Sequence, residues 1–291
     1  MGNSGASLHD TAIDGISGAA PLSGAPDFPQ STMGRPATPQ RLRGSDHMSE
    51  RQADRAPSGP DTHRTRLAIP PVVFTGLVIA SLTAAGIGAR YCVRGDFDVI
   101  HGLLILFFSI NLLICHWEIC LFFRRDYIEK RAEYWRERRH RTGRTSAVEF
   151  LTGRVPLTRI LSSTVWADVW ATYSQFDSSY ADRRTYGYNV DIGNGFVTPV
   201  PTMILFAAFT IDFLPALVAG IIGAMMFWQL TYATSVYWVS FFVTKRQSRI
   251  GRKDMYIYIW ALNCPWVLFA LLGLYVSIRL IVNGDYGVLG Y

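Results

Sequence analysis

Five stretches of this chain stay apolar for longer than a buried helix of a water-soluble domain requires: residues 67–89, 99–123, 190–211, 213–243 and 255–282. About 20 apolar residues in helical conformation cross the hydrocarbon core of a bilayer, where backbone polar groups must be satisfied within the spanning segment itself. The sequence therefore predicts an all-α protein, a polytopic transmembrane bundle of five helices in which polar side chains within the spans enclose an intramembrane ligand cavity. Pro70 and Pro71 fall in the opening turn of the first run, where a missing backbone donor costs little. Asp212 and Pro215 stand between the third and fourth runs, a charge and a helix breaker that together favour a tight turn at the membrane surface.

The remaining sequence is organised around these runs. Hydrophobic residues make up 49% of the 291, and the polar residues gather in blocks, which is the pattern of a membrane protein. The formal charge of +6 does not point to nucleic acid, because the basic residues flank apolar runs and carry no reading motif. Lys and Arg collect on the cytoplasmic side of spans. Arg64 and Arg66 precede the first run, the stretch from Arg124 to Arg159 follows the second, and Lys245, Arg246, Arg249, Arg252 and Lys253 follow the fourth. With five spans all of these share one side, so a cytoplasmic N-terminus is expected. Arg90 and Arg94 fall on the other side, in company with Asp96 and Asp98.

Residues 1–66, rich in Gly, Ser, Pro, Ala, Asp and Arg without apolar periodicity, are expected to form a disordered tail. They lack the basic start and short apolar core of a cleaved signal peptide. The five-span domain covers residues 67–282, and residues 283–291 are a short C-terminal tail. Within the basic amphipathic loop of residues 124–165, Arg and Glu alternate with Tyr134 and Trp135. That composition suits a helix lying on lipid headgroups, and equally a solvated helix continuing from the second span. Cys92, Cys115, Cys120 and Cys264 show neither a disulfide framework nor metal-ligand spacing, and no metal site is expected.

A polar or ionisable side chain inside a span costs at least about 2.5 kcal/mol at the centre for a charged group, so those that persist are candidates for function or helix pairing. In the second run these are Asn111, His116 and Glu118; at the start of the third, Asp191 and Asn194; in the fourth, Gln229 and Tyr232; in the fifth, Tyr256, Asn263 and Trp266. Helical spacing puts Asn111 and Glu118 on one face and sets His116 away from Glu118. It also puts Tyr256, Asn263 and Trp266 on one stripe.

The stretch from Trp166 to Pro201 is the most distinctive. Trp170, Tyr173, Asp177 and Tyr180 reproduce W-x-x-Y-x-x-x-D-S-x-Y, Asp191 follows at the start of the third span, and Pro199 and Pro201 lie within ten residues of it. With the Asn263 and Trp266 pair, and with Gln229 and Tyr232, this order resembles the emopamil-binding protein-like sterol isomerases of the EXPERA superfamily, over residues 97–282. Where that family carries Glu at the position of Asp191, this chain has Asp. The family His stands one turn before its Glu, a position held here by Ile114, with His116 two residues before Glu118.

The resemblance implies an isomerase that shifts a carbon-carbon double bond in a sterol-like or terpenoid lipid, protonating one alkene carbon and deprotonating its neighbour through a carbocation. That chemistry needs a water-shielded acid, a base and an electron-rich face. It implies Glu118 as proton donor with His116 as partner, Asp191 as second acid or base, Trp266 as the face for the cation, and Asn263 as the group orienting a carboxyl or the indole. Trp170, Tyr173, Asp177 and Tyr180 would shape the cavity mouth, and Gln229, Tyr232 and Tyr256 would bind substrate. No cofactor is required, since the proton shift is redox-neutral and no dinucleotide or phosphate loop is present. The expected partners are the lipid substrate and the bilayer, and an oligomer is compatible with the sequence. A second reading keeps the cavity without turnover: a binding or trafficking protein for sterol-like or cationic amphiphilic ligands.

Overall fold

The computed structural model describes residues 67–291; the expected tail of residues 1–66 lies outside the described residues. Helix α1 (Pro71–Arg94) begins at the predicted proline pair and closes on Gly95, whose φ of 73° suits a residue without a side chain. Residues 67–69, placed by hydropathy in the first span, are not helical. Ala68 and Ile69 instead pair antiparallel with Pro156 and Val155, because Pro70 and Pro71 supply no backbone donor to continue the helix backwards. Helix α2 (Val99–Phe123) follows, its first turn capped by the Asp98 carboxylate, which accepts from the His101 amide at 2.7 Å.

Helix α3 (Arg125–Thr142) is a separate element, broken from α2 at Arg124. Neither sequence reading of it is complete, because Ile128, Ala132 and Trp135, spaced to share one face, are buried. That face packs against α5 (Ser163–Tyr173), with the short α4 (Ser146–Thr152) between them in sequence. Asp168 of α5 accepts from Arg131 at 2.8 Å and from the Trp135 indole at 3.1 Å, so the polar side of the contact is paired as well.

After a 3₁₀ turn at Ser178–Ala181 come α6 (Tyr186–Val197) and α7 (Pro199–Ile211). The sequence treats residues 190–211 as one run, but the two helices are bent by 50° at Thr198. Pro199 and Pro201 withhold their amides at the joint, which explains the bend. Helix α8 (Ala216–Val243) starts after Pro215, as the sequence predicts. The last run opens with α9 (Arg252–Asp254), passes through a π-helical segment at Met255–Ala261, and straightens into α10 (Pro265–Asn283).

Four helical runs are long and apolar enough to cross a membrane: α1, α2, α8 and Arg252–Asn283. The α6–α7 pair passes the same test only when taken together. The chain is thus a helical, multi-pass membrane bundle. Contacts gather at its two ends. At one, Arg183 pairs with Asp126 and Glu129, Arg139 with Asp254, and Arg246 with Asp177. At the other, Arg90 pairs with Asp96 and Arg94 with Asp212, and both guanidinium groups lie over the Tyr291 ring. The basic residues of the 90–98 loop, out of place by charge sidedness, are therefore matched by acids and an aromatic face. The C-terminal residues pack at this same end: Leu289 is buried and the Tyr291 hydroxyl donates to the Phe209 carbonyl at 2.6 Å.

Two apolar cores follow from this arrangement. One joins α2, α7, α8 and α10 around Leu104, Phe107, Phe108, Phe209 and Phe227. The other, towards the opposite end, joins α2, α3, α5, α8 and the π segment around Leu121, Trp135, Trp170, Tyr237 and Ile259. On α2, residues 110–118 lie between the two cores, and a pocket opens at this level.

Candidate functional site

The pocket owes its position to a close helix crossing. Gly195 of α6 lies so near α2 that a Cβ there would stand 2.8 Å from the Glu118 Cβ and 2.9 Å from the Ile119 nitrogen. Only glycine allows that approach. Asp191, one helical turn before Gly195, is thereby carried onto the same side of α6 as the contact with Glu118. Both carboxyl side chains line a pocket of about 390 Å³, a volume within the range of small-molecule sites.

Glu118 is 5% exposed, and Arg125, its nearest candidate partner by sequence, instead donates to the Phe122 carbonyl at 3.2 Å. Asn263 and Trp266 enter from the other side of the pocket, just beyond the π segment. Trp266 donates its indole N–H to Asn111 Oδ1 at 3.3 Å, while Asn111 donates to Thr202 Oγ1 at 2.9 Å. Asn111 therefore orients the indole. Asn263, expected in that role, donates to the Tyr258 and Ile259 carbonyls at 3.2 and 3.0 Å and to the Tyr173 hydroxyl at 3.3 Å. Its work is to satisfy carbonyls that the wide π turn leaves available.

The wall nearest the basic end is aromatic. Trp170 stacks on Tyr180 with ring centroids 5.0 Å apart, and Tyr173 meets the same ring edge-on at 5.0 Å. All three line the pocket, as does Tyr237 of α8. Tyr237 donates to Asp177 Oδ2 at 2.8 Å, and its hydroxyl lies 3.5 Å from that of Tyr173.

Comparison with known proteins finds no matching family model, no similar curated protein and no similar solved structure. The chemistry of the site is accordingly read from its own side chains.

Seven residues singled out from sequence meet at the pocket: Glu118, Asp191, Asn263, Trp266, Trp170, Tyr173 and Tyr180. Five do not. His116 is half-buried outside the lining, its Nε2 3.9 Å from the Cys120 sulfur, as its helical phase relative to Glu118 requires. Asp177 is fully buried and bonded to Arg246 Nη1 at 2.7 and 2.8 Å, which makes it a structural anion rather than a wall of the cavity mouth. Gln229 donates to Asn194 Oδ1 at 2.6 Å and lines a neighbouring pocket of about 550 Å³ beside the α6–α7 bend. Tyr232 is 57% exposed and stacks on Trp228 on the outer surface. Tyr256 is 62% exposed. It leaves the stripe predicted with Asn263 because the intervening π turns hold more residues than α turns and shift the phase.

Sequence reasoning missed Tyr237, Trp117 and Thr75 as lining residues. Tyr237 sits in an otherwise apolar helix whose aromatics look alike in sequence. Among the described residues, no group of three His, Cys, Asp or Glu side chains is arranged to hold a metal ion.

Proposed function

We propose that this protein is a membrane-embedded isomerase that moves a carbon-carbon double bond in a sterol-like or terpenoid lipid by protonation and deprotonation through a carbocation. The observation carrying this reading is that Glu118 and Asp191, from two different helices, line one largely apolar pocket together with the Trp266 indole. One carboxyl group gives a proton to an alkene carbon, and the other, as carboxylate, removes one from the adjacent carbon. The developing positive charge lies against Trp266, where a desolvated cation and an indole face attract by about 2 kcal/mol. The W-x-x-Y-x-x-x-D-S-x-Y resemblance supports the same assignment.

In this reading α6 and α7 form one bent span. The clustering of Arg183, Arg139 and Arg246 at one end and of Arg94, Asp212 and Tyr291 at the other supports a fivefold crossing with the N-terminus cytoplasmic. The test is incubation of purified protein with polycyclic alkenols in D₂O, with mass spectrometry of the product. An isomer carrying solvent deuterium is expected, and Glu118→Gln and Asp191→Asn should each lower its formation by at least about 100-fold while leaving thermal unfolding unchanged. Full activity in both variants sinks the proposal.

One observation favours a second reading. His116 stands outside the pocket, so no imidazole assists the carboxyl pair. A binding or trafficking protein for sterol-like or cationic amphiphilic lipids needs only the pocket, and would return its ligand chemically unchanged after long incubation.

A further inference from the structure

The indoles of this bundle are used with little waste. Trp135 donates to Asp168, Trp166 to the Ile160 carbonyl at 2.7 Å, Trp170 to the Trp117 carbonyl at 2.7 Å, Trp238 to the Ile259 carbonyl at 3.0 Å and Trp266 to Asn111. Trp117 differs. Its Nε1 is shielded from solvent and has no hydrogen-bond partner among the described residues, yet the side chain lines the pocket. Stacking on Trp166, at 5.5 Å between centroids and 18° between planes, holds the ring in place.

The threonines repeat the contrast. Thr198, Thr202, Thr210 and Thr231 each donate back to the carbonyl four residues earlier in the helix, at 2.6 to 2.9 Å. Thr75 of α1 lines the pocket with its hydroxyl shielded and unpartnered among the described residues. Helices α1 and α2 run antiparallel with Gly86 against Ile105, a register that brings Thr75 level with residues 116 and 117 of α2. The pocket therefore has, on its α1–α2 wall, one fixed N–H donor and one hydroxyl that can donate or accept.

A shielded polar group left without a partner costs free energy that a bound partner returns, whereas an apolar ligand leaves the cost in place. We propose that Trp117 and Thr75 form an oxygen-recognising subsite, so that the ligand of this pocket is a polycyclic or terpenoid lipid bearing a hydroxyl or carbonyl oxygen, which accepts from the Trp117 indole. The inference rests on the reading of the pocket as a lipid site and names a specificity determinant within it. Trp117 touches the ligand oxygen and takes no part in the proton shift.

The experiment compares two steroids differing by one oxygen, 5α-androstan-3β-ol and 5α-androstane, bound to the full chain in detergent by competition with a fluorescent sterol. Wild-type protein should bind the alcohol roughly three- to tenfold more tightly, the span expected of one neutral hydrogen bond. Trp117→Phe keeps the stacked ring and removes the donor; it should abolish that preference while leaving affinity for 5α-androstane unchanged, and Thr75→Val should reduce the preference. A preference that survives Trp117→Phe, or equal binding of the two steroids by wild type, overturns the subsite and leaves the lipid pocket standing. Failure of wild type to bind either steroid or the fluorescent sterol overturns both.

Discussion

Gly195 carries no side chain, and α6 uses that space to rest its backbone on Glu118 and Ile119 of α2. Alanine there meets a backbone nitrogen, which cannot step aside as a flexible side chain would. Gly195→Ala should cost about 1–3 kcal/mol, in the manner of an overpacked contact, and should weaken ligand binding because Asp191 moves with the helix. Gly193, two residues away on a face where an added Cβ meets nothing within 4 Å, is the control. Gly193→Ala should leave thermal unfolding in detergent unchanged or slightly raised, since glycine inside a helix is itself unfavourable. A second residue-scale prediction concerns acid. Arg138, whose Nε donates to Glu149 Oε1 at 2.7 Å while its Nη2 bonds the same oxygen, holds the Glu149 carboxyl below the ordinary carboxylate range. Because the folded value is the depressed one, the pair contributes stability in full above the unfolded carboxyl's pKa and loses it as pH falls through the folded value. Hydrogen exchange in α3 and α4 should therefore quicken below about pH 4, and Glu149→Gln should remove that step; an unaltered acid profile in the variant contradicts the assignment. Residue identity was legible at this scale and partnership was not. Glu118 and Asp191 stand out in sequence as costly carboxyl groups in apolar surroundings, but nothing in the sequence around Gly195 shows that it is the point where their helices touch.

At the scale of elements, irregular backbone decides which candidates reach the pocket. The bend between α6 and α7 and the π segment before α10 both interrupt runs that hydropathy reads as uniform, since a window average cannot see a change in turn geometry. The prolines at 199 and 201 give the bend a sequence signature. Met255–Ala261 has none, and so Tyr256 was aligned with Asn263 on a regular helix and falls instead on the outer surface. The motif around Trp170 has a comparable division of labour. Trp170, Tyr173 and Tyr180 line the pocket, whereas Asp177 holds the 3₁₀ turn to the end of α8 through Arg246 and Tyr237. Removing one partner of a buried ion pair costs about 3–5 kcal/mol because the other charge is left unmatched. Asp177→Asn should lower stability by that order. Removing the second charge as well, in Asp177→Asn with Arg246→Gln, should recover part of the loss. Thermal unfolding of the single and double variants measures this directly, and additive losses would show that the two side chains do not act as a pair.

The whole molecule is divided by charge as clearly as by hydropathy. The long basic loop, Lys245 and Arg249 gather at the end where α2 and α8 finish. At the other end Arg90 and Arg94 are matched by Asp96 and Asp212. This division was readable in the sequence because sidedness depends on where charges fall relative to spans, not on how the spans pack. The packing itself, with two cores and a pocket between them, depends on contacts between residues far apart in sequence and was not. If the division sets orientation, the unpaired basic end faces the cytoplasm and the matched end faces away. Two exposed positions make this measurable. Cys92 is a natural, exposed thiol in the last turn of α1, at the matched end, and Ser248 is exposed in the basic turn after α8. In sealed vesicles with the exoplasmic side outward, a membrane-impermeant maleimide should label Cys92 at once, and with Cys92 replaced by Ser it should label Ser248→Cys only after permeabilisation. An even number of crossings between these positions would label both from the same side, so the one pair of measurements tests the inside-outside assignment together with the treatment of α6 and α7 as a single bent span.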